Sequence, residues 1–289
     1  MIASMTRALT AHPVTQFRKS PRFYALYDGF YLVACTAVCV ALRAAHVAPR
    51  FGAPSWSWLA IAPALLYAFI WAHLTIHNCT HGNLPRAINR LVGEVLGLIV
   101  VVRFASWDII HMRHHKYSDH RTMDPHPNFA GFWKTVHNTV TQVEGQLFQQ
   151  YFDLWGDTPE NHRAERRRAW VSYGTNVALI LAWTMVLGPW FTLLVFVPMN
   201  VLAGLFVIHF NWSTHNGARG VADEDFRPVN LDRGYYAFGN RVFAGIYMHA
   251  NHHHRPHLFN PMRWDEAKFG APDALVDAPA GAEASRKAA

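Results

Sequence analysis

The stretch "AWVSYGTNVALILAWTMVLGPWFTLLVFVPMNVLAGLFVIHF" at residues 169–210 decides the fold class. It is about twice as long as the ~20 apolar residues that one helix needs to cross a bilayer. Gly188 and Pro189 interrupt it in the middle, and proline cannot continue a helix from the residues before it. We therefore predict two transmembrane helices, at about residues 169–188 and 190–210, that are joined by a tight turn.

Two further apolar blocks, at about residues 24–47 and 57–77, are each long enough to span a membrane. Charged residues make up only 16% of the chain, against roughly 25% in soluble domains. The shorter block "LVGEVLGLIVVV" at 91–102 contains Glu94 and predicts an interfacial or re-entrant helix. The sequence therefore predicts an all-α integral membrane protein with about four transmembrane helices. The alternative is a large soluble protein in which these blocks are buried helices.

Basic residues flank the first and third predicted spans and set the expected orientation. Arg18, Lys19 and Arg22 precede the first span, and Arg166–Arg168 precede the third. Cytoplasmic loops carry an excess of such residues, so four spans place both termini in the cytoplasm. This asymmetry accounts for the net charge of +7 without a nucleic-acid partner. We expect one domain at residues 1–270, with a cytoplasmic helical cap, and a disordered tail rich in alanine and proline at 271–289.

The 19 histidines are the second unusual feature, because several fall in short repeated motifs. These motifs are "HNCTH" at 77–81, "HMRHH" at 111–115, "HANHH" at 249–253 and "NWSTH" at 211–215. Residues three and four apart share one face of a helix, so each motif can direct its imidazoles at one centre. In the four-span topology all four motifs lie on the cytoplasmic side of the membrane. The candidate metal ligands are His77, His81, His111, His114, His115, His215, His249, His252 and His253.

The number of clustered histidines bears on the metal. Neutral imidazole binds zinc, copper, iron and nickel, and one zinc uses at most four protein ligands. Nine imidazoles therefore predict two metal ions, although ligand type alone does not identify the element. Other histidines near the motifs fall outside their spacing, namely His120, His126, His209, His254 and His257. The isolated histidines are predicted to be surface or packing residues, namely His12, His46, His73, His137 and His162.

The motifs "HNCTH", "HMRHH" and "HANHH", with a helical hairpin before the third, resemble the three histidine boxes of the membrane fatty acid desaturase superfamily. "HHKYSDHRTMDPHPN" is similar to the segment after the second box of acyl-CoA desaturases, although it is one residue longer. "NWSTH" resembles that group's asparagine and additional histidine on the fourth span. The resemblance implies a non-haem di-iron centre on the nine histidines, with Asn211 holding a water at one iron.

The resemblance also implies the reaction, which is the dioxygen-dependent desaturation of a fatty acyl or lipid chain. An unactivated methylene C–H bond has no acidic proton, so acid–base side chains cannot cleave it, whereas a metal-based oxidant can. A hydroxylase or ketolase on the same scaffold is the nearest alternative. A histidine-rich membrane metal transporter or sensor is an alternative from another class. A transporter places its ligands near the bilayer midplane, whereas these motifs lie at one membrane face.

Other residues near the motifs have expected roles around the metals. Asp108, Asp119 and Asp124 flank the second motif and are candidates to accept hydrogen bonds from ligand histidines, which fixes the ring tautomer. Aromatic residues beside the motifs are candidates to line an apolar substrate tunnel, or alternatively to form an aromatic belt at the membrane surface. These residues are Phe104, Trp107, Trp212 and Tyr247.

An external electron donor is also expected, because the sequence shows no haem-attachment, nucleotide or iron–sulfur motif. The resemblance implies a ferredoxin or a cytochrome b5-like protein with its reductase. The cationic run "HRAERRR" at 162–168 is a candidate docking patch for an acidic donor. The same arginines also have a topological explanation, since they hold the start of the third span in the cytoplasm.

Overall fold

The computed structural model describes residues 2–215 and 226–272, and this part of the chain contains helices and no strand. Four helical segments are long and apolar enough to cross a membrane: α3 (Phe23–Ala44), α4 (Trp58–Thr80), α8 (Pro159–Leu187) and the segment Pro189–Thr214. This confirms the predicted all-α membrane protein with four spans. The predicted disordered tail falls almost wholly on residues 273–289, outside the described residues, and the single-domain division stays a prediction.

Two short helices, α1 (Ile2–Thr10) and α2 (Pro13–Phe17), precede the first span. The third and fourth spans form the predicted hairpin. Gly188 takes a φ of 87°, and a Cβ there would lie 2.6 Å from the Phe51 carbonyl oxygen, so the turn requires glycine. The fourth span then consists of α9 (Pro189–Phe191), a π-helical turn and α10 (Val197–Thr214).

The third span is longer than the sequence predicted, because α8 begins ten residues before the apolar block. The Thr158 side chain accepts a hydrogen bond from the Asn161 amide at 3.3 Å and so caps the helix, and Pro159 occupies the first turn. The arginine run at 163–168 therefore lies within the helix and not in a preceding loop.

A bent helix pair follows the second span. The helices α5 (Arg86–Ile99) and α6 (Phe104–Tyr117) meet at an angle of 107°. At the bend Val101 has a φ of 56°, and a Cβ on Gly97 would lie 2.3 Å from the Val102 carbonyl oxygen. The bend turns α6, which carries the second histidine motif, away from the direction of α5.

The remaining described helices are one long helix and three short ones. The long helix α7 (Phe132–Trp155) packs against α6, α8 and α10. Three short helices follow the fourth span, namely α11 (Tyr235–Val242), α12 (His249–His254) and α13 (Glu266–Phe269). One hydrophobic core joins α4 to the fourth span, and a second joins α2, α3, α6 and α7.

A buried ion network connects the first and third spans to α6 and α7. The guanidinium of Arg168 is 3.0 Å from Glu165 and 3.4 Å from Asp28, and it also pairs with Glu144. Arg103 forms a second ion pair with Asp28. The Arg168 side chain is fully buried, so its assignment to an exposed docking patch was wrong. The exposed arginines of the run are Arg163, Arg166 and Arg167.

Candidate metal centre

The histidine motifs converge because each occupies the end of a helix or a short helix beside such an end. His77 lies in the last turn of α4, and His81 caps that helix. The second motif lies in the last two turns of α6, the third forms α12, and His215 caps α10. The nine predicted ligands therefore meet at one end of the spans. Their nitrogen atoms fall into two groups.

The larger group contains five imidazoles, and one ring nitrogen of each lies within 4.8 Å of the others. The Nε2 atom of His111 is 2.8 Å from that of His81 and 3.0 Å from that of His115. The Nε2 atoms of His115 and His252 are 3.3 Å apart. The group consists of His77, His81, His111, His115 and His252, so all three motifs contribute to it.

The smaller group contains four imidazoles that satisfy the same 4.8 Å limit. The Nε2 atom of His249 lies 3.1 Å from those of His215 and His253. His114 completes the group, so it joins the second motif, the third motif and the end of the fourth span. The two neighbouring histidines of "HMRHH" thus belong to different groups, with His115 in the larger and His114 in the smaller.

Both groups have the chemistry of metal sites. Imidazole nitrogens bind such metals at about 2.0–2.1 Å, which places neighbouring donor atoms on one ion about 3 Å apart. The nitrogen separations of 2.8–3.3 Å fit this spacing. In addition, the Nε2 atoms of His77 and His114 are buried and have no hydrogen-bond partner among the described residues. Buried polar atoms of this kind require a partner, and one metal ion in each group would supply it.

Two aspartates hold histidines of the smaller group by their other ring nitrogen. Asp124 lies 2.9 Å from His114 Nδ1, and Asp119 lies 2.7 Å from His215 Nδ1. A ring that donates from Nδ1 presents its Nε2 lone pair to the centre. Burial alone would raise the pKa of Asp124, but the adjacent His114 holds this pKa well below its usual range. Asp124 is therefore an ionised acceptor for the His114 ring.

The third flanking aspartate has a different environment. Asp108 is fully buried, and it accepts a hydrogen bond of 2.7 Å from the Val14 amide. Its other oxygen is 3.9 Å from His12 Nδ1. Its described contacts thus tie the N-terminal segment to α6 and involve none of the nine clustered histidines. His12 is half-buried beside Asp108. It is therefore a packing residue, which is one of the two roles predicted for the isolated histidines.

His126 lies nearer to the centre than its sequence spacing suggested. Its ring centroid is 4.3 Å from that of His114, and its backbone amide donates to Asp124 at 3.0 Å. Asn211, the predicted holder of a water, places its Nδ2 atom 3.3 Å from His126 Nδ1. His126 also forms a third possible metal-binding set with His114 and Asp124. The sequence did contain a sign that His126 lies near the centre. His126 is part of "DPHPN", which belongs to the segment that resembles acyl-CoA desaturases.

A largely apolar cavity adjoins the histidines. It contains about 620 Å³ of empty space, including space open to solvent, between α4, α6, α7 and α10. Leu74, Val207 and Phe210 are among its apolar lining residues, and Trp107 faces it from α6. His77, His111 and His249 contribute the wall that adjoins the two histidine groups. The cavity is therefore a largely apolar space next to both histidine groups.

The four predicted tunnel residues have separate locations. Trp107 lines the cavity, and its ring stacks on His111 with centroids 5.9 Å apart. Phe104 is fully buried against Gly93 of α5. Trp212 donates from its indole to the Phe129 carbonyl at 2.8 Å, and Tyr247 packs against Phe210 and Tyr236. A tunnel-lining role for these residues remains a prediction.

Four membrane spans and two adjacent groups of histidines define a multi-pass membrane protein with a candidate metal-binding site. The family model for fatty acid desaturases matches residues 56–265, which include all four histidine motifs. The chain belongs to the fatty acid desaturase family. This membership confirms the resemblance that the histidine motifs indicated, and it gives no support to a metal transporter or sensor.

A curated relative is the sn-1 oleoyl-lipid 12-desaturase of Arthrospira platensis, with 27% identity over 146 residues. The match covers 47% of this chain and 36% of the relative, so the chain aligns with about a third of that protein's length. No solved structure matches the chain at a significant level.

Proposed function

We propose that this protein introduces a double bond into the fatty acyl chain of a lipid, with dioxygen as co-substrate and two iron ions as cofactor. The observation that carries the proposal is the division of nine imidazoles into groups of five and four beside one apolar cavity. Membership of the desaturase family supports iron and an acyl substrate. The relative's name supports an acyl chain that is attached to a lipid.

Both histidine groups bind metal in this proposal. The imidazoles of both groups, with neutral Nε2 atoms turned inward, would hold the two irons. When bound, the iron pair supplies the oxidising chemistry with dioxygen that an unactivated C–H bond requires, which no acid–base side chain provides. Asp119 and Asp124 keep the rings of His215 and His114 in the tautomer that leaves Nε2 free. Asn211 is proposed to hold a water at one iron.

The cavity residues position the substrate. Leu74, Val207 and Phe210 form an apolar wall that accepts methylene groups and keeps bulk water from the centre. Trp107 fixes the side of the cavity next to His111, because its indole stacks on that imidazole. An acyl chain in this cavity lies beside His77 and His249, one from each group, so its carbon atoms are held near both proposed metal positions.

The electron balance requires an external donor. Reduction of dioxygen to two waters consumes four electrons, and removal of two hydrogens from the chain supplies two. Ferredoxin or a cytochrome b5-like protein with a reductase would supply the other two. The exposed Arg163, Arg166 and Arg167 on α8 form the proposed docking patch for an acidic donor. Reversing the charge of Arg166 and Arg167 should slow donor-dependent turnover, and raising the ionic strength should remove the difference from the wild type.

The proposed orientation places both termini and the histidine centre in the cytoplasm. It rests on the basic residues before the first span and at the start of α8. A cytoplasmic donor reaches the centre only in this orientation. Labelling of single cysteines that are introduced at Arg7 and Arg166, from each side of sealed vesicles, tests it. Reaction from the outside at either position in right-side-out vesicles contradicts it.

The reaction type is tested by mass spectrometry of total lipids from cells with and without the protein. A desaturase removes two hydrogens from an acyl chain, whereas a hydroxylase adds one oxygen atom. We expect lipids that are two mass units lighter, and their absence from cells that produce His252→Ala. Oxygenated lipids without new double bonds would instead establish a hydroxylase or ketolase on the same scaffold.

A further inference from the structure

His73 is a buried polar residue that the proposed chemistry leaves unused. It lies on the second span, one helical turn before the proposed ligand His77, and only 6% of the residue is exposed. Its Nδ1 atom is buried and has no hydrogen-bond partner among the described residues. His73 is not a member of either histidine group. A histidine in this position therefore needs a different partner.

The surroundings of His73 indicate where that partner lies. His73 lines the same cavity as His77 and Trp107, and its ring centroid is 6.5 Å from that of Trp107. The wall of this cavity also includes the apolar Leu74 and, from α10, Val207 and Ile208. Polar atoms that are buried in proteins are almost always paired. A molecule in the cavity is the partner that this geometry leaves for the imidazole.

We propose that His73 is a specificity-determining residue that forms a hydrogen bond with an oxygen atom on the substrate's hydrocarbon chain. The proposal rests on the proposed function, because it takes the cavity as the acyl site. The substrate class is then an acyl chain that already carries a hydroxyl or keto oxygen, and not a plain hydrocarbon chain. A neutral imidazole suits both groups, since it has one N–H donor and one nitrogen acceptor.

The position of His73 locates this oxygen. His73 is seven residues before the end of α4, so it lies about 10 Å inside that end of the span. This depth separates it from the ester groups of lipids at the membrane surface. It is also four residues, or about 6 Å along the helix axis, from His77. The oxygen should therefore be several carbon atoms from the carbon atoms that react.

A site that is built to bind an oxygen discriminates against a chain without one, because the buried nitrogen then stays unpaired. We expect the preference for the correct hydroxylated chain to be on the order of tenfold or more. Replacement of His73 by leucine should remove the preference without weakening the binding of the plain chain. Asparagine or glutamine should retain part of it, because each side chain can still donate and accept hydrogen bonds.

The test measures equilibrium binding of radiolabelled stearic acid and its monohydroxy positional isomers to the purified full-length protein in detergent. The proteins are the wild type, His73→Leu, His73→Asn and His73→Gln, with His137→Leu as a control at an exposed histidine. We expect the wild type and the control to bind one isomer, or two neighbouring ones, at least about tenfold more tightly than stearic acid. We expect His73→Leu to bind all the probes equally.

Two results would overturn the proposal: a wild type that binds no isomer more tightly than stearic acid, or a preference that survives in His73→Leu. If the leucine variant does not fold, His73→Asn and His73→Gln replace it: a reduced preference supports the proposal, and a preference equal to that of the wild type in both variants overturns it. Binding does not depend on turnover. Absence of desaturated lipids in cells would therefore contradict the proposed function and leave the binding preference as a separate result.

Discussion

The carboxylate of Asp124 lies 2.9 Å from Nδ1 of His114, the histidine that links the second motif to the smaller imidazole group. This contact determines which nitrogen of His114 faces the centre. Asp119 has the same relationship to His215, at 2.7 Å. The two aspartates thus orient half of the four-imidazole group from outside it, and they come from one loop directly after α6.

The Asp124–His114 contact predicts a selective effect on the metal. Asp124→Asn removes the charged acceptor and permits the other ring tautomer, so iron content and activity should fall about 10- to 100-fold. Iron analysis and lipid product yield measure this. The matched control is Asp157→Asn, which alters an exposed aspartate 2.6 Å from His162 and outside the centre. Equal losses in both variants would contradict a specific role for Asp124.

The division into two groups predicts that each group holds its own ion. His252→Ala removes a ligand from the larger group, and His249→Ala removes one from the smaller group. Each variant should retain the spans, lose one of two irons per chain and lose product by more than about 100-fold, which exceeds the cost of losing an outer hydrogen-bond partner. His137→Ala, at an exposed histidine, should retain both irons. Full iron content in His252→Ala or His249→Ala would refute the grouping.

The apolar cavity predicts a steric effect that is separate from metal binding. Val207→Trp fills part of the cavity, so turnover should fall by about tenfold or more while the iron content stays unchanged. Val201→Trp is the matched control, because Val201 is on the same helix and is 56% exposed. Product yield and metal content are measured on the same preparations. Normal turnover in Val207→Trp would show that the substrate binds elsewhere.

The spans and the histidine motifs could be predicted from the sequence, and the reason is physical. The length of an apolar block and the i, i+4 spacing of histidines are local properties, and both are retained when the helices form. Contacts between distant segments have no such local signal. Asp108 and Asp124 both flank the second motif, yet only Asp124 contacts a clustered histidine, because Asp108 faces the N-terminal segment.

Arg168 and His73 show the same difference between local pattern and tertiary contact. Arg168 belongs to a cationic run that indicates an exposed surface, but α8 extends through the run and turns this one arginine toward Asp28 and Glu165. His73 appeared isolated in the sequence, although the fold places it in the cavity beside Trp107. Helix periodicity does not reveal which neighbouring segment a side chain will meet.

The buried ion network predicts a large effect on stability. Arg168→Leu leaves the carboxylates of Asp28 and Glu165 without their shared partner, and loss of one member of a buried ion pair costs about 3–5 kcal/mol. Thermal unfolding in detergent should show a clear decrease in Tm. The exposed neighbour Arg167 provides the control, because Arg167→Leu should leave Tm nearly unchanged. Similar Tm values for the two variants would contradict the structural role of Arg168.

Metal analysis of the purified protein, isolated under conditions that prevent metal loss, tests the central claim most directly. The two groups of imidazoles predict two irons per chain. One zinc per chain without iron would contradict the account, because zinc has no redox chemistry with which to activate dioxygen.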